Sequence, residues 1–304
     1  MTDIPITRRR ALALALGTHA IWGAMPIYLM LVKTVPPLEY IAWRTLFTLP
    51  ICLVFAWYLA RGNELRATLT SGRTMRTLVA SASAIAVNWY VYVWAIQTDH
   101  VYAASLGYYI LPLVMMLMGL VFLGEKLSRW QTVAVALAAL GVAALAAGAL
   151  TTLWVSMTLG LSFGIYGLLR KTVAAGPLTG LAVESMILAP LAAGYLAWAG
   201  TRGDGLAIGR DGWETFGIVM GGPMTAVPLL MFATATRALP YTVIGFLQFA
   251  SPTIIFILGL TFFGEELKPA QLACFVAIWI AASIFTWDLL RGSRRARQAL
   301  PVTP

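Results

Sequence analysis

The sequence predicts an all-α integral membrane protein, with ten transmembrane helices arranged as two inverted-topology repeats of five. Three observations predict it. Of 304 residues, 60% are hydrophobic and only 11% charged, with a mean hydropathy of +0.82. A soluble domain carries about 25% charge, whereas a bilayer selects long apolar stretches with few charges. Lys and Arg fall between those stretches, on alternating sides. Finally, one stretch of sequence nearly recurs 140 residues later.

A spanning helix needs roughly 20 mostly apolar residues. Ten segments meet that length: 11–32, 38–60, 76–97, 101–123, 129–149, 152–171, 178–199, 213–236, 241–263 and 269–289. The first imitates a secretory leader, because "RRRALALALGTHA" has a basic flank, an apolar run and small residues. Its apolar run continues through "IWGAMPIYLMLV" to about Lys33, which is the length of a retained span. The second and seventh spans enter just after Pro37 and Pro177. The fourth and ninth carry Pro112 and Pro252 near their middles. Connecting loops are short, so each helix is expected to pack beside its sequence neighbours.

Orientation follows from the basic residues. One side carries Arg8, Arg9, Arg10, Arg61, Arg66, Arg73, Arg76, Lys126, Arg129, Arg170, Lys171, Arg237, Arg291, Arg294, Arg295 and Arg297. The other carries Lys33, Arg202, Arg210 and Lys268. Sixteen against four puts both termini in the cytoplasm. The net charge of +9 does not point to nucleic acid, since these residues lie between spans rather than on one soluble face. Cys52 and Cys274 fall inside apolar segments, with no disulfide or metal spacing.

The recurring stretch is "LPLVMMLMGLVFLGEKLSRWQ" (111–131) and "SPTIIFILGLTFFGEELKPAQ" (251–271). "PLEYIAWRTLFTLP" (37–50) meets "PLTGLAVESMILAP" (177–190) at the same offset, and Gly23 meets Gly164 after a one-residue shift. A repeat of five helices is odd, so the second half enters the membrane from the other side. The expected organisation is a first repeat over 1–150, a second over 151–290 and a basic cytoplasmic tail over 291–304. Lys126 and Arg129 stand in the copy facing the cytoplasm, Glu266 and Pro269 in the copy facing away, as the charge rule requires. Two inverted bundles can exchange inward-open and outward-open states around a site near the midplane.

Candidate site residues are the polar and helix-disturbing groups at membrane depth. Arg44 and Glu184 are repeat mates, each about 10 Å into the bilayer from its own side at 1.5 Å per residue. That leaves their backbones at different levels and does not favour a direct salt bridge. Arg44 is read as a substrate-binding group for an anion, Glu184 as gating or coupling; each has a structural alternative, a bond to carbonyls or a polar neighbour. Pro112 and Pro252 withhold N–H groups from the carbonyls of Tyr108 and Gln248, themselves mates, and mark a cavity unless they only shape packing. Pro26 does the same for Trp22, and Pro223 and Pro228 recur in the eighth span. Asn88 and Tyr92 share a face with Ala95. His19 is a coupling candidate, with a hydrogen-bonded structural histidine as its alternative. Tyr166 is a weaker candidate. Gly160, Gly164 and Gly167 read as close helix packing, Asp288 and Arg291 as a mutual pair, and Glu125, Glu265 and Glu266 as helix-boundary features. Catalytic residues, metal ligands and cofactors are not expected.

Several motifs carry a family resemblance: "WGAMPIYLMLVKTVPPLEYIAWR" (22–44), "NWYVYVWAI" (88–96), "SLGYYILPL" (105–113), "GEKLSRWQ" (124–131), "FGIYGLLRK" (163–171), "TGLAVES" (179–185), "GPMTAVPLLMFATATRALP" (222–240) and "GFLQFASPT" (245–253). Together the chain resembles the EamA group of the drug/metabolite transporter superfamily, in its RarD-like branch. One departure is Trp43, where RarD-like sequences tend to have His. The resemblance implies a ten-helix carrier of the bacterial inner membrane, working as an exporter on a metabolite, amino acid or drug-like solute. Expected partners are that solute and the lipid bilayer, with proton coupling through His19 or Glu184. The expected state is a monomer, with a homodimer as the alternative. The rival function is a polytopic membrane enzyme acting on a lipid-linked substrate, which should show clustered acidic ligands or a nucleophile with its base.

Overall fold

The computed structural model describes residues 6–98, 100–202, 205–264, 266 and 269–298. Glu265, Lys268 and the end of the 291–304 tail therefore lie outside the described residues. Among the described residues, ten helical stretches are long and apolar enough to cross a membrane, and each overlaps one of the ten expected segments. The helices are α1 (Arg8–Leu29), α2 (Pro37–Tyr58), α3 (Gly62–Thr70), α4 (Gly72–Gln97), α5 (Val101–Leu123), α6 (Arg129–Ala146), α7 (Leu153–Thr172), α8 (Pro177–Gly200), α9 (Gly212–Ala238), α10 (Tyr241–Leu247), α11 (Ala250–Thr261) and α12 (Pro269–Gln298). The side where α1 begins and α12 ends is called the terminal side below.

Two elements were not in the sequence expectation. α3 is a short helix in a stretch whose charges predict a loop; Leu65 of α3 packs with Leu78, Val173 and Ala175, tying the two halves together on the terminal side. It is too short and polar to register by the spanning rule. The ninth span is interrupted: α10 ends at Leu247 and α11 begins at Ala250. Pro252 has no N–H for the Gln248 carbonyl, and the Ser251 N–H bonds to that carbonyl instead at 3.3 Å. Pro26, Pro112 and Pro223 lie inside helices that continue through them.

The expectation of neighbour packing is corrected. The backbones of α7 and α8, joined by a short loop, approach little, and so do those of α1 and α2, although side chains such as Arg170 and Tyr40 reach across. The close pairs are set by the pseudo-two-fold: α2 with α8, α6 with α12 and α5 with α10 are repeat mates, while α1–α9 mirrors α4–α7. In lipid there is no hydrophobic drive toward a sequence neighbour, so packing goes where small residues admit a close approach. A Cβ on Gly222 would sit 2.8 Å from the Phe47 backbone carbonyl, joining α9 to α2.

The two-fold fails where α5 meets α10. α10 lies directly on the second half of α5, where a Cβ on Gly245 would be 2.9 Å from Met115 Cβ and from the Pro112 carbonyl. The repeat mates of Gly245 and Met115 are Ser105 and Ile255, on the opposite side of the membrane. Those mates do not close together: Ser105 is exposed, and Ile255 is 38% exposed where Met115 is 0%. Ser105 lies on the same α5 stripe as Pro112 and Met116 by its i, i+7, i+11 spacing. The fourth and ninth spans thus meet on the terminal side and part on the other.

Candidate functional site

Arg44 stands two turns into α2, on the side away from the termini. Its guanidinium carbon lies 4.0 Å above the Trp89 ring and 6.0 Å from the Tyr40 ring. Tyr28, Tyr92 and Tyr108 are near enough to interact with it electrostatically. Tyr40 donates to the Tyr28 hydroxyl at 3.2 Å, Tyr28 donates to the Gly217 carbonyl, and the Tyr92 and Tyr108 rings meet edge to face at 6.0 Å. The Arg44 Nε is buried with no hydrogen-bond partner, although the residue is part-exposed. The nearest carboxylate in sequence, Glu39, is engaged with Trp43 Nε1 at 3.2 Å and the Ala207 N–H at 2.7 Å.

Its mate Glu184 has a different environment. Ser81 Oγ donates to Glu184 Oε1 at 2.6 Å, and Arg170 Nη1 approaches the same oxygen at 3.6 Å. Arg170 also donates through Nη2 to the Pro177 carbonyl at 2.7 Å. Read with the loop charges in the sequence, Arg170 is in fact 1% exposed. The two half-sites correspond closely. Gly221, against which Arg44 Cβ packs, is the mate of Ser81, and Tyr40 is the mate of Gly180, which abuts the Arg170 guanidinium. The first and sixth spans align one residue out of step, so the counterpart of Arg170 is Leu29. The first half keeps a part-buried ion that no described carboxylate meets.

A small cavity with room for a water molecule is lined by Thr45, Thr48, Trp89, Tyr166, Glu184 and Thr225. Trp89 belongs to both this cavity and the Arg44 stack. Of the sequence candidates, the structure brings Arg44, Tyr92 and Tyr108 together. It places Trp22 elsewhere, against His19, Phe163 and Phe232 with ring centroids 5.5–5.7 Å apart. His19 is fully buried, with Ser251 Oγ 3.3 Å from Nδ1. Gln248 is buried and its Oε1 has no partner. Asp288 accepts from Ser128 at 2.7 Å, and Arg291 lies over Trp287. Trp89, Tyr28, Tyr40 and Arg170 were missed. Trp89 precedes Tyr92 by three residues, which puts both on one helix face.

Asn88 donates from Nδ2 to the Leu159 carbonyl at 2.9 Å and to Ser162 Oγ at 3.0 Å, tying α4 to α7. Asn88→Ala is expected to cost about 1–2 kcal/mol, read as a lower melting temperature in detergent. Solute affinity should not change; an affinity loss at unchanged stability would return Asn88 to the binding site.

On the terminal side, side chains close over helix ends. Glu125 accepts from the Tyr241 and Thr242 N–H groups at 2.5 and 2.7 Å, capping α10. Lys171 donates to the Thr236 and Leu239 carbonyls, and Arg237 to those of Val173 and Ala175, at 2.6–3.0 Å. Glu64 accepts from the Gly176 N–H at 2.7 Å. Among the described residues there is no group of three His, Cys, Asp or Glu side chains able to hold a metal ion.

Comparison with known proteins places this arrangement. The model of the EamA-like transporter family matches residues 9–147. An uncharacterized transporter of Pseudomonas aeruginosa is 39% identical over 95% of this chain and 97% of its own. The protein RarD of Streptomyces exfoliatus is 36% identical over 96% of this chain and 93% of its own, and that of Escherichia coli 34% over 94% and 97%. A solved crystal structure covers 92% of this chain and 98% of its own with a TM-score of 0.70 at 16% identity, a likeness of fold. With ten spans, an inverted repeat and RarD relatives along nearly its whole length, the chain belongs to the EamA-like transporter family, as a multi-pass bacterial membrane protein.

Proposed function

We propose that the protein is an alternating-access carrier of the bacterial inner membrane, with cytoplasmic termini, that exports a small solute. The observation that carries this reading is the unequal packing of repeat mates. Gly245 and Met115 are closed against each other while Ser105 and Ile255 are uncovered. Two halves of one sequence pattern in two arrangements are what an inverted-repeat carrier in one of its end states looks like. The charge bias makes the closed, terminal side cytoplasmic, so this state is outward-open. The repeats 1–150 and 151–290 are the two halves whose mates exchange arrangements.

The test is uptake and efflux in proteoliposomes across a panel of amino acids, organic acids and drug-like solutes, with and without a pH gradient. Solute-specific, saturable flux is expected, and a gradient-dependent rate would assign proton coupling, with Glu184 and His19 the residues to vary next. If no solute moves while a lipid-linked substrate is chemically altered, the membrane-enzyme reading takes its place.

A further inference from the structure

We propose that Arg44 and the rings around it form the subsite for the carboxylate of a small organic monoanion with a flat or apolar body. The inference rests on the carrier reading above and adds the chemical class of the solute to it.

An ionised side chain at membrane depth is costly and is kept where something meets its charge. No described carboxylate meets Arg44. Glu184 is engaged by Ser81 and Arg170, and Glu39 by Trp43 and Ala207. The repeat makes this informative. In the second half the ion at this position has a counter-ion from the neighbouring span, Arg170; in the first half the corresponding residue is Leu29. A solute can supply what the chain does not.

The geometry selects the kind of anion. Trp89 takes the face of the guanidinium, 4.0 Å from ring to Cζ. The in-plane edge is not taken by another side chain: its Nε–H is buried and unpartnered. That edge is a fork matching two carboxylate oxygens. One buried cation balances one negative charge, which favours a monoanion over a phosphate dianion. The walls are Trp89, Tyr40, Tyr92 and Tyr108, which suit an apolar or flat body. Among the described residues no carboxylate stands beside Arg44 to receive an ammonium group, and Glu184, across the small cavity beyond Trp89, is held by Ser81 and Arg170, so an organic acid fits better than its amino-acid analogue. Tyr108 lies on α5 one turn from the exposed Ser105.

The test is equilibrium binding of radiolabelled benzoate to the protein in nanodiscs at neutral pH. Saturable binding is expected, displaced by hexanoate. Benzamide, the same shape without the charge, should compete about tenfold or more weakly. Arg44→Gln should weaken benzoate binding by about tenfold or more, Arg44→Lys by less, since it keeps charge and loses the fork. Trp89→Ala should weaken it while Trp89→Phe largely retains it. The Lys and Trp89 variants keep the test decisive if Arg44→Gln does not fold. Equal binding by wild type and the Arg44 variants, equal competition by benzamide, or no saturable binding of either acid would each overturn the proposal. Flux separates the two levels: a neutral solute carried equally by wild type and Arg44→Gln removes the subsite alone, whereas no flux of any solute by wild type removes the carrier reading.

Discussion

Glu184→Ala is expected to destabilise the protein by about 3–5 kcal/mol, because it leaves the Arg170 guanidinium buried without a counter-charge. Arg170 is 1% exposed, and its Nε and Nη1 make no hydrogen bond, so the Glu184 carboxylate is the charge that offsets its desolvation. Ser81 would lose its acceptor as well. Glu184→Gln keeps the shape and the Ser81 bond, and should still lose most of this stability. Arg170→Met alone strands the carboxylate and should cost a similar amount. The double variant Glu184→Gln/Arg170→Met should recover most of the loss, since removing both members of a buried pair is often close to neutral. The measurement is the melting temperature of each variant in detergent, followed by size-exclusion fluorescence. Additive losses in the double variant would mean the two residues act independently. Flux should not recover with stability if Glu184, which lines the small cavity, also gates or couples transport.

The difference between what was and was not legible in the sequence has a physical cause. Ten spans could be read because the bilayer imposes length and composition on each helix separately. The inverted repeat could be read from eight identities between 111–131 and 251–271. Partner choice could not, because α2 packs on α8 and α9 through contacts that no local pattern records. Arg170 shows the same limit. At the end of a span beside Lys171 it reads as a solvated loop charge, and its burial depends on the α8 N-terminus folding over it. Arg44 is legible as an ion inside a span, Tyr92 through its face with Asn88 and Tyr108 through Pro112, but not that the three meet. Trp89 is not, because the polar residue beside it, Asn88, marks a neighbouring face that ties α4 to α7. Trp22 lies apart from Arg44, its indole taken up by Phe163 and Phe232.

Glu125→Ala is expected to shift the carrier away from its present state by tenfold or more in population. The Glu125 carboxylate accepts two backbone N–H groups at the start of α10, where Pro240 offers no side-chain cap. Bonds to an ionised acceptor are worth about 1.5–3 kcal/mol each, and about 1.4 kcal/mol is a factor of ten. Those bonds exist only while α10 is docked on α5, so their loss is a loss of this state and not of the fold as a whole. The repeat supplies a mirror experiment. The mate of Glu125 is Glu265, and the mates of Tyr241 and Thr242 are Val101 and Tyr102, the first residues of α5. An inverted state would have Glu265 capping α5, so Glu265→Ala should favour the present state instead. Ser105→Cys reports on both, since position 105 is uncovered now and its mate Gly245 is buried. Labelling of that cysteine by a membrane-impermeant maleimide should slow in Glu125→Ala and quicken in Glu265→Ala. Gly245→Leu should act like Glu125→Ala, because its side chain would occupy the space of Met115 and the Pro112 carbonyl. Movement of both glutamate variants in the same direction, or no movement in either, would show that these carboxylates only finish helix ends, and the exchange of caps would have no part in the cycle.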